Sequence, residues 1–171
     1  MLALHDRTRP RPFAGHSPHQ ERPLGGYATL TGTFTALAGG FGVWFRRSGR
    51  HLPDEMSTRD LLLLTVAAHK AARTLAADRV TSAVRAPFTE FQGDAGPSEV
   101  HERARGRGLR RAVGELLVCP YCLGMWMSGL LTAMLLVWPR FTRWLASVWA
   151  IFFGSEVLQI AYRRAEDSLG G

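Results

Sequence analysis

The sequence predicts an all-α integral membrane helical bundle of about four transmembrane helices, with a polar, Arg-rich cytoplasmic segment between spans two and three. Three observations lead there. Hydrophobic residues make up 46% of the 171-residue chain and charged residues 20%, and the two are sorted into separate blocks. Four of the apolar blocks approach the ~20 residues that a helix needs to cross a ~30 Å hydrocarbon core. The positive charge, 20 Arg and the single Lys70 against 14 acidic groups, sits largely in the polar segments between blocks. Cytoplasmic loops of membrane proteins share that bias, and the preference for Arg over Lys points to a GC-rich bacterial coding sequence.

Residues 1–24 hold four Arg, four Pro and three His with little apolar content. They read as a disordered basic tail. The first span, about 25–45, is GGYATLTGTFTALAGGFGVWF, 21 residues without a charge. Gly32, Ala36 and Gly40 recur every fourth residue and form a small-residue stripe that admits a second helix. A secretory signal cleaved at Ala36-Leu37-Ala38 is the competing reading. The long leader and weak apolar core argue for a membrane helix instead.

A polar connection from Arg46 to Asp60 follows, in which Ser57 or Thr58 caps the next helix and Asp60 lies in its first turn. The second span, about 61–77, is LLLLTVAAHKAARTLAA. His69, Lys70 and Arg73 occupy its second half, and each cation costs about 3 kcal/mol at a bilayer centre. That face must turn inward or snorkel. Residues 78–114 form the polar segment. Pro87 and Pro97 break any long helix, so short helical pieces and turns at a membrane surface are expected.

The third span, about 116–138, is the strongest apolar signal and closes on Pro139-Arg140. The fourth, about 141–162, carries only Arg143 near one end and Glu156 deeper in. The short connection between these two predicts a tight antiparallel hairpin. Residues 165–171 read as a frayed C-terminal tail. Together, residues 25–164 form one membrane helical domain.

Four spans place both termini and the segment 78–114 on one side. That side holds thirteen Arg and the other six, so both termini are expected in the cytoplasm of a multi-pass protein of the bacterial cytoplasmic membrane. His69, Lys70, Arg73, Cys122 and Glu156 then share one cytoplasmic third of the bundle. An ion pair of Arg73 or Lys70 with Glu156 would lower the cost of burying both. A functional polar pocket and unpartnered snorkelling cations are the alternatives.

The only cysteines lie in Cys119-Pro120-Tyr121-Cys122, the tetrapeptide of glutaredoxin active sites. A reactive thiol needs a helix N-terminus, and Pro120 suits the first helical turn. The surroundings argue against a glutaredoxin, because Leu123 to Pro139 carries no charge and no βαβ pattern flanks the motif. Cys119 and Cys122 are also half of a zinc site that His69 or His101 with Glu156, or the Cys pair of a second chain, would complete. Small, reduced, helix-packing cysteines are the third reading.

Read in order, HKAARTLAADRVTSAVRAPF, GRGLRRAVGELLVCPYCLGMW and PRFTRWLASVWAIFFGSEVLQIAY resemble the bacterial membrane family catalogued as domain of unknown function 1360, in which some relatives are labelled sporulation proteins. The resemblance spans about 61–164. Its pattern falls on His69, Lys70, Arg73, Asp78, Val80, Thr81, Arg85, Pro87, Phe88, Gly114, Glu115, Cys119, Cys122, Gly124 and Trp126. Where the pattern leads one to expect Ser-Asp, this chain has Ser155-Glu156. An integral membrane protein is what the resemblance implies.

The leading functional expectation is a non-enzymatic structural or interaction protein. Arg103, Arg105, Arg107, Arg110 and Arg111 would contact anionic headgroups of the lipid bilayer, at about 1 kcal/mol each. A membrane-protein partner or a homo-oligomer would suit the small-residue stripe. The alternative is a membrane-embedded thiol-redox or metal site on Cys119, Cys122 and His69, with zinc as the metal. Nucleic acid is disfavoured, since RARGRGLRR lacks interleaved aromatics for base stacking.

Overall fold

The computed structural model describes residues 22–169, so the expected N-terminal tail lies almost entirely outside the described residues. Six helices account for most of the chain: α1 Leu24–Arg47, α2 Thr58–Ala77, α3 Ser82–Arg85, α4 Gly108–Leu117, α5 Pro120–Val137 and α6 Pro139–Leu169. Two strands, β1 Thr89–Asp94 and β2 Val100–Ala104, pair antiparallel between α3 and α4. Among the described residues, α5 and α6 are long and apolar enough to cross a membrane.

Local chemistry sets the boundaries. Ser57 caps α2, its hydroxyl accepting from the Asp60 N–H at 3.1 Å; this satisfies one of the orphan donors of the first turn. Cys119 takes the same position on α5, with Pro120 as the first helical residue. Only Trp138 separates α5 from α6. The chain reverses there because Pro139 cannot donate to the preceding turn.

The core is a seam along α2. Leu64, Ala67 and Ala68 pack with Leu131 and Leu135 of α5 and Ala146 of α6, and further along Ala72 and Ala76 meet Leu123. Small side chains let the three axes approach closely, which gains dispersion contact without large residues. The pairings show that α2 runs antiparallel to α5. It runs parallel to α6, because Asp60 meets Arg143 while Lys70 meets Glu156.

Three sequence expectations are corrected. The fold is not purely helical: residues 89–104 form a hairpin with an irregular register at Phe91–Gly93. The apolar block at 116–138 is two elements, because the chain bends at Val118–Cys119 between α4 and α5. The C-terminal segment continues α6 as far as Leu169 instead of fraying at 165. Within this chain Gly32 and Gly40 face open space, and the glycines that make close contact on α1 and α5 are Gly26 and Gly129. Gly26 lies against Ala112 of α4, and Gly129 lies under the Phe34 ring.

Candidate functional site

The polar groups of the bundle gather at the C-terminal end of α2. Lys70 is only 1% exposed. Its ammonium donates to Glu156 Oε1 at 2.5 Å, lies 3.9 Å from Asp78 Oδ2 and stands 4.2 Å from the centre of the Phe152 ring. Two carboxylates and an aromatic face thus replace the water that burial removes. Arg73 does not join this group. It turns outward to Glu99 at 2.5 Å, at the tip of the hairpin. His69 packs edge-on against Phe153, with centroids 5.7 Å apart.

A second buried cation lies just beyond. Arg85 is fully buried, and its guanidinium donates to Glu102 through Nε and Nη2, both at 3.0 Å. It also donates to the carbonyls of Leu75 and Asp78, and to the hydroxyls of Thr81 and Ser82. Burial pushes the Glu102 carboxyl up, but the hydrogen bonds from Arg85, Thr89 and Ser82 and the Arg85 charge outweigh it. The net effect holds Glu102 below the usual carboxylate range. Arg85 therefore ties the end of α2, the turn after it and β2 into one unit.

At the far end of α2, Arg143 makes a two-pronged bond to Asp60, at 2.8 and 2.9 Å. Ion pairs thus link α2 and α6 at two levels.

The arginines of the 103–111 segment have separate fates. Arg105 and Arg110 converge on the Pro87 carbonyl, Arg111 pairs with Glu115 at 2.9 Å, and Arg103 and Arg107 are exposed. Glu115 also accepts from the Tyr27 hydroxyl, which fastens α1 to α4.

Cys119 and Cys122 are joined in a disulfide, with Cα atoms 5.2 Å apart. This overturns the reading of two reduced packing cysteines. The turn that starts α5 brings the capping residue over the residue three places on, and the Cys122 N–H also donates to Cys119 Sγ at 3.1 Å. In this form neither sulfur is the thiolate that zinc requires. His69 is not among any close group of three or more His, Cys, Asp or Glu in the described residues.

Asp60, Asp78, Arg85, Glu99 and Glu102 were not singled out as site residues by composition or spacing. The resemblance did place Asp78 and Arg85 in its pattern, without roles. Glu99 and Glu102 leave no such trace, because their partners lie 26 and 17 residues away in the chain.

The family described as protein of unknown function (DUF1360) matches residues 63–162, which is 100 of the 171 residues. The chain belongs to this DUF1360 family. The matched stretch runs from the start of the α2 seam to the end of the apolar part of α6, so the Lys70 and Arg85 networks both lie within it. The sporulation protein YjcA of Bacillus subtilis (strain 168) is 33% identical over 94 residues, covering 53% of this chain and 80% of the relative. No solved structure matches. The DUF1360 match leaves out α1 and the Asp60 end of α2.

Proposed function

We propose that this chain is a non-enzymatic multi-pass protein of the bacterial cytoplasmic membrane, crossing it four times through α1, α2, α5 and α6 with both termini in the cytoplasm. One observation carries this reading. The long helices present apolar side chains to the outside, with Leu130 53% exposed and Ile151 and Leu158 each 72% exposed. Water penalises such a surface and hydrocarbon does not. Alternating crossings also require α2 to run parallel to α6 and antiparallel to α5, as it does.

In this arrangement the hairpin and α4 rest on the cytoplasmic surface, where Arg103, Arg107 and Arg110 meet anionic headgroups. Association with a membrane-protein partner or a second copy is the activity this architecture suits. The biological setting we take from the sporulation label of the Bacillus relative.

Alkaline extraction of membranes, followed by single-cysteine labelling in a Cys119→Ser/Cys122→Ser background, tests the crossing pattern. An impermeant maleimide on intact cells should reach a cysteine at Glu55 and not one at Gly96. Release into the alkaline supernatant, or equal labelling of both positions, would reject it. Hydrogen exchange in nanodiscs tests the headgroup contact. Residues 103–111 should exchange more slowly with anionic lipid than with zwitterionic lipid, and equal exchange removes that contact from the proposal.

A further inference from the structure

Two strings of the family pattern, HKAAR on α2 and CPYCLG on α5, meet across a cavity that none of the networks above occupies. Thr65, His69 and Arg73 recur every fourth residue on α2, and so lie on one helix face. Tyr121, Gly124 and Ser128 line the facing wall on α5. Between them is a cavity of about 310 Å³. Gly124 helps keep it open, since a Cβ built there would meet no atom within 4 Å.

The lining is rich in donors. No carboxylate belongs to it, because Glu156 and Asp78 are drawn to Lys70 on another side of α2. Arg73 makes one side-chain hydrogen bond among the described residues, from Nη2 to Glu99, which leaves further guanidinium N–H groups to donate. The ring nitrogens of His69 and the hydroxyl of Ser128 make no hydrogen bond within the described residues. His69, Arg73 and Ser128 are exposed along this cleft, so their donors are open to an acceptor that enters it. An arginine with free N–H groups favours an acceptor with several oxygens on one centre.

We infer that the α2–α5 cavity binds a phosphate group, held by Arg73, His69 and Ser128. The group comes either from free phosphate or from a phospholipid headgroup. Only the second source rests on the bilayer reading proposed above.

The test uses full-length protein in detergent, with three probes: inorganic phosphate by titration calorimetry, and phosphatidylglycerol and diacylglycerol by native mass spectrometry. Wild type should bind inorganic phosphate or phosphatidylglycerol one to one. Phosphatidylglycerol binding alone assigns the lipid source, and binding of inorganic phosphate assigns the free ion. Arg73→Gln should weaken the complex about tenfold or more, the loss expected from one charge-assisted contact. Gly124→Leu should abolish binding while leaving the melting temperature unchanged, since it fills empty space. Glu99→Gln should tighten binding by releasing Arg73, and Arg140→Gln, at the start of α6, should leave it unchanged.

The inference is overturned if neither phosphate probe binds, if binding survives both Arg73→Gln and Gly124→Leu, or if diacylglycerol binds as well as phosphatidylglycerol. Protein released by alkaline extraction that still binds inorganic phosphate in a Gly124-dependent way would sink the bilayer reading and keep this one. Embedded protein without binding would do the reverse.

Discussion

Arg85 is wholly enclosed, yet acceptors surround its guanidinium from the end of α2, from α3 and from Glu102 of β2. A lysine has the charge but not the planar fork, so Arg85→Lys should destabilise the protein by about 3 kcal/mol, read from unfolding of the purified chain. The same pair predicts a pH dependence. Glu102 has a depressed folded pKa, so its contribution is present above the unfolded value near 4.5 and is lost as the pH falls through the folded value. Melting temperature should therefore drop on acidification below about pH 4.5, and Glu102→Gln should flatten that drop. At Lys70 the partner Glu156 is itself 35% exposed at its side chain. Partial exposure tempers the cost of removing it, so Glu156→Gln should cost roughly 1–3 kcal/mol, with Asp78 left as the remaining anion. Glu156→Asp, which restores the residue the family pattern leads one to expect, should cost less than Glu156→Gln in the same melt.

Among the elements, the hairpin and α4 depend on close backbone approach. A Cβ on Gly114 would stand 2.5 Å from the Phe88 carbonyl oxygen and 2.9 Å from Ala104 Cβ. Gly114→Ala should push α4 away from β2 and make the hairpin easier to cleave by limited proteolysis. Gly32→Ala meets open space in the middle of α1 and should leave the cleavage rate unchanged, with a helix gain of up to about 1 kcal/mol. These elements also mark the limit of what was legible in the chain. The extent of α1 follows from a charge-free block and the start of α2 from a Ser-x-x-Asp signal before an apolar run, and both are readable locally. The hairpin is not: its inward residues include Thr89 and Glu102, so it shows no apolar alternation, and it is held by an arginine from outside the strands. The bend between α4 and α5 falls inside an unbroken apolar run, where periodicity carries no information.

For the whole molecule, the order of charge blocks foretold that Lys70, Glu156 and the cysteines would lie toward the same end, because helix direction alternates along the chain. It did not show which cation meets Glu156, since Lys70 and Arg73 differ by less than one turn of helix and the choice depends on Glu99, a residue of the hairpin. The attachment of α1 was equally hidden. Its closest joint with the rest is Gly26 against Ala112 and Tyr27 against Glu115, partners 86 and 88 residues apart in the chain. Among the described helices, α1 is thus anchored by one made later. While the ribosome is still producing α2 and the hairpin, α1 has no docking surface, and its Gly-rich sequence must persist without one. Pulse-labelled chains carrying cysteines at Tyr27 and Glu115 in the Cys119→Ser/Cys122→Ser background should be joined by a bifunctional maleimide only after the α4 segment has emerged. Full-length chains that do not cross-link would refute the joint. The time the nascent chain spends with α1 unmoored then grows with the length of chain between α1 and α4, which gives α2 and the hairpin a part in the timing of assembly as well as in the finished structure.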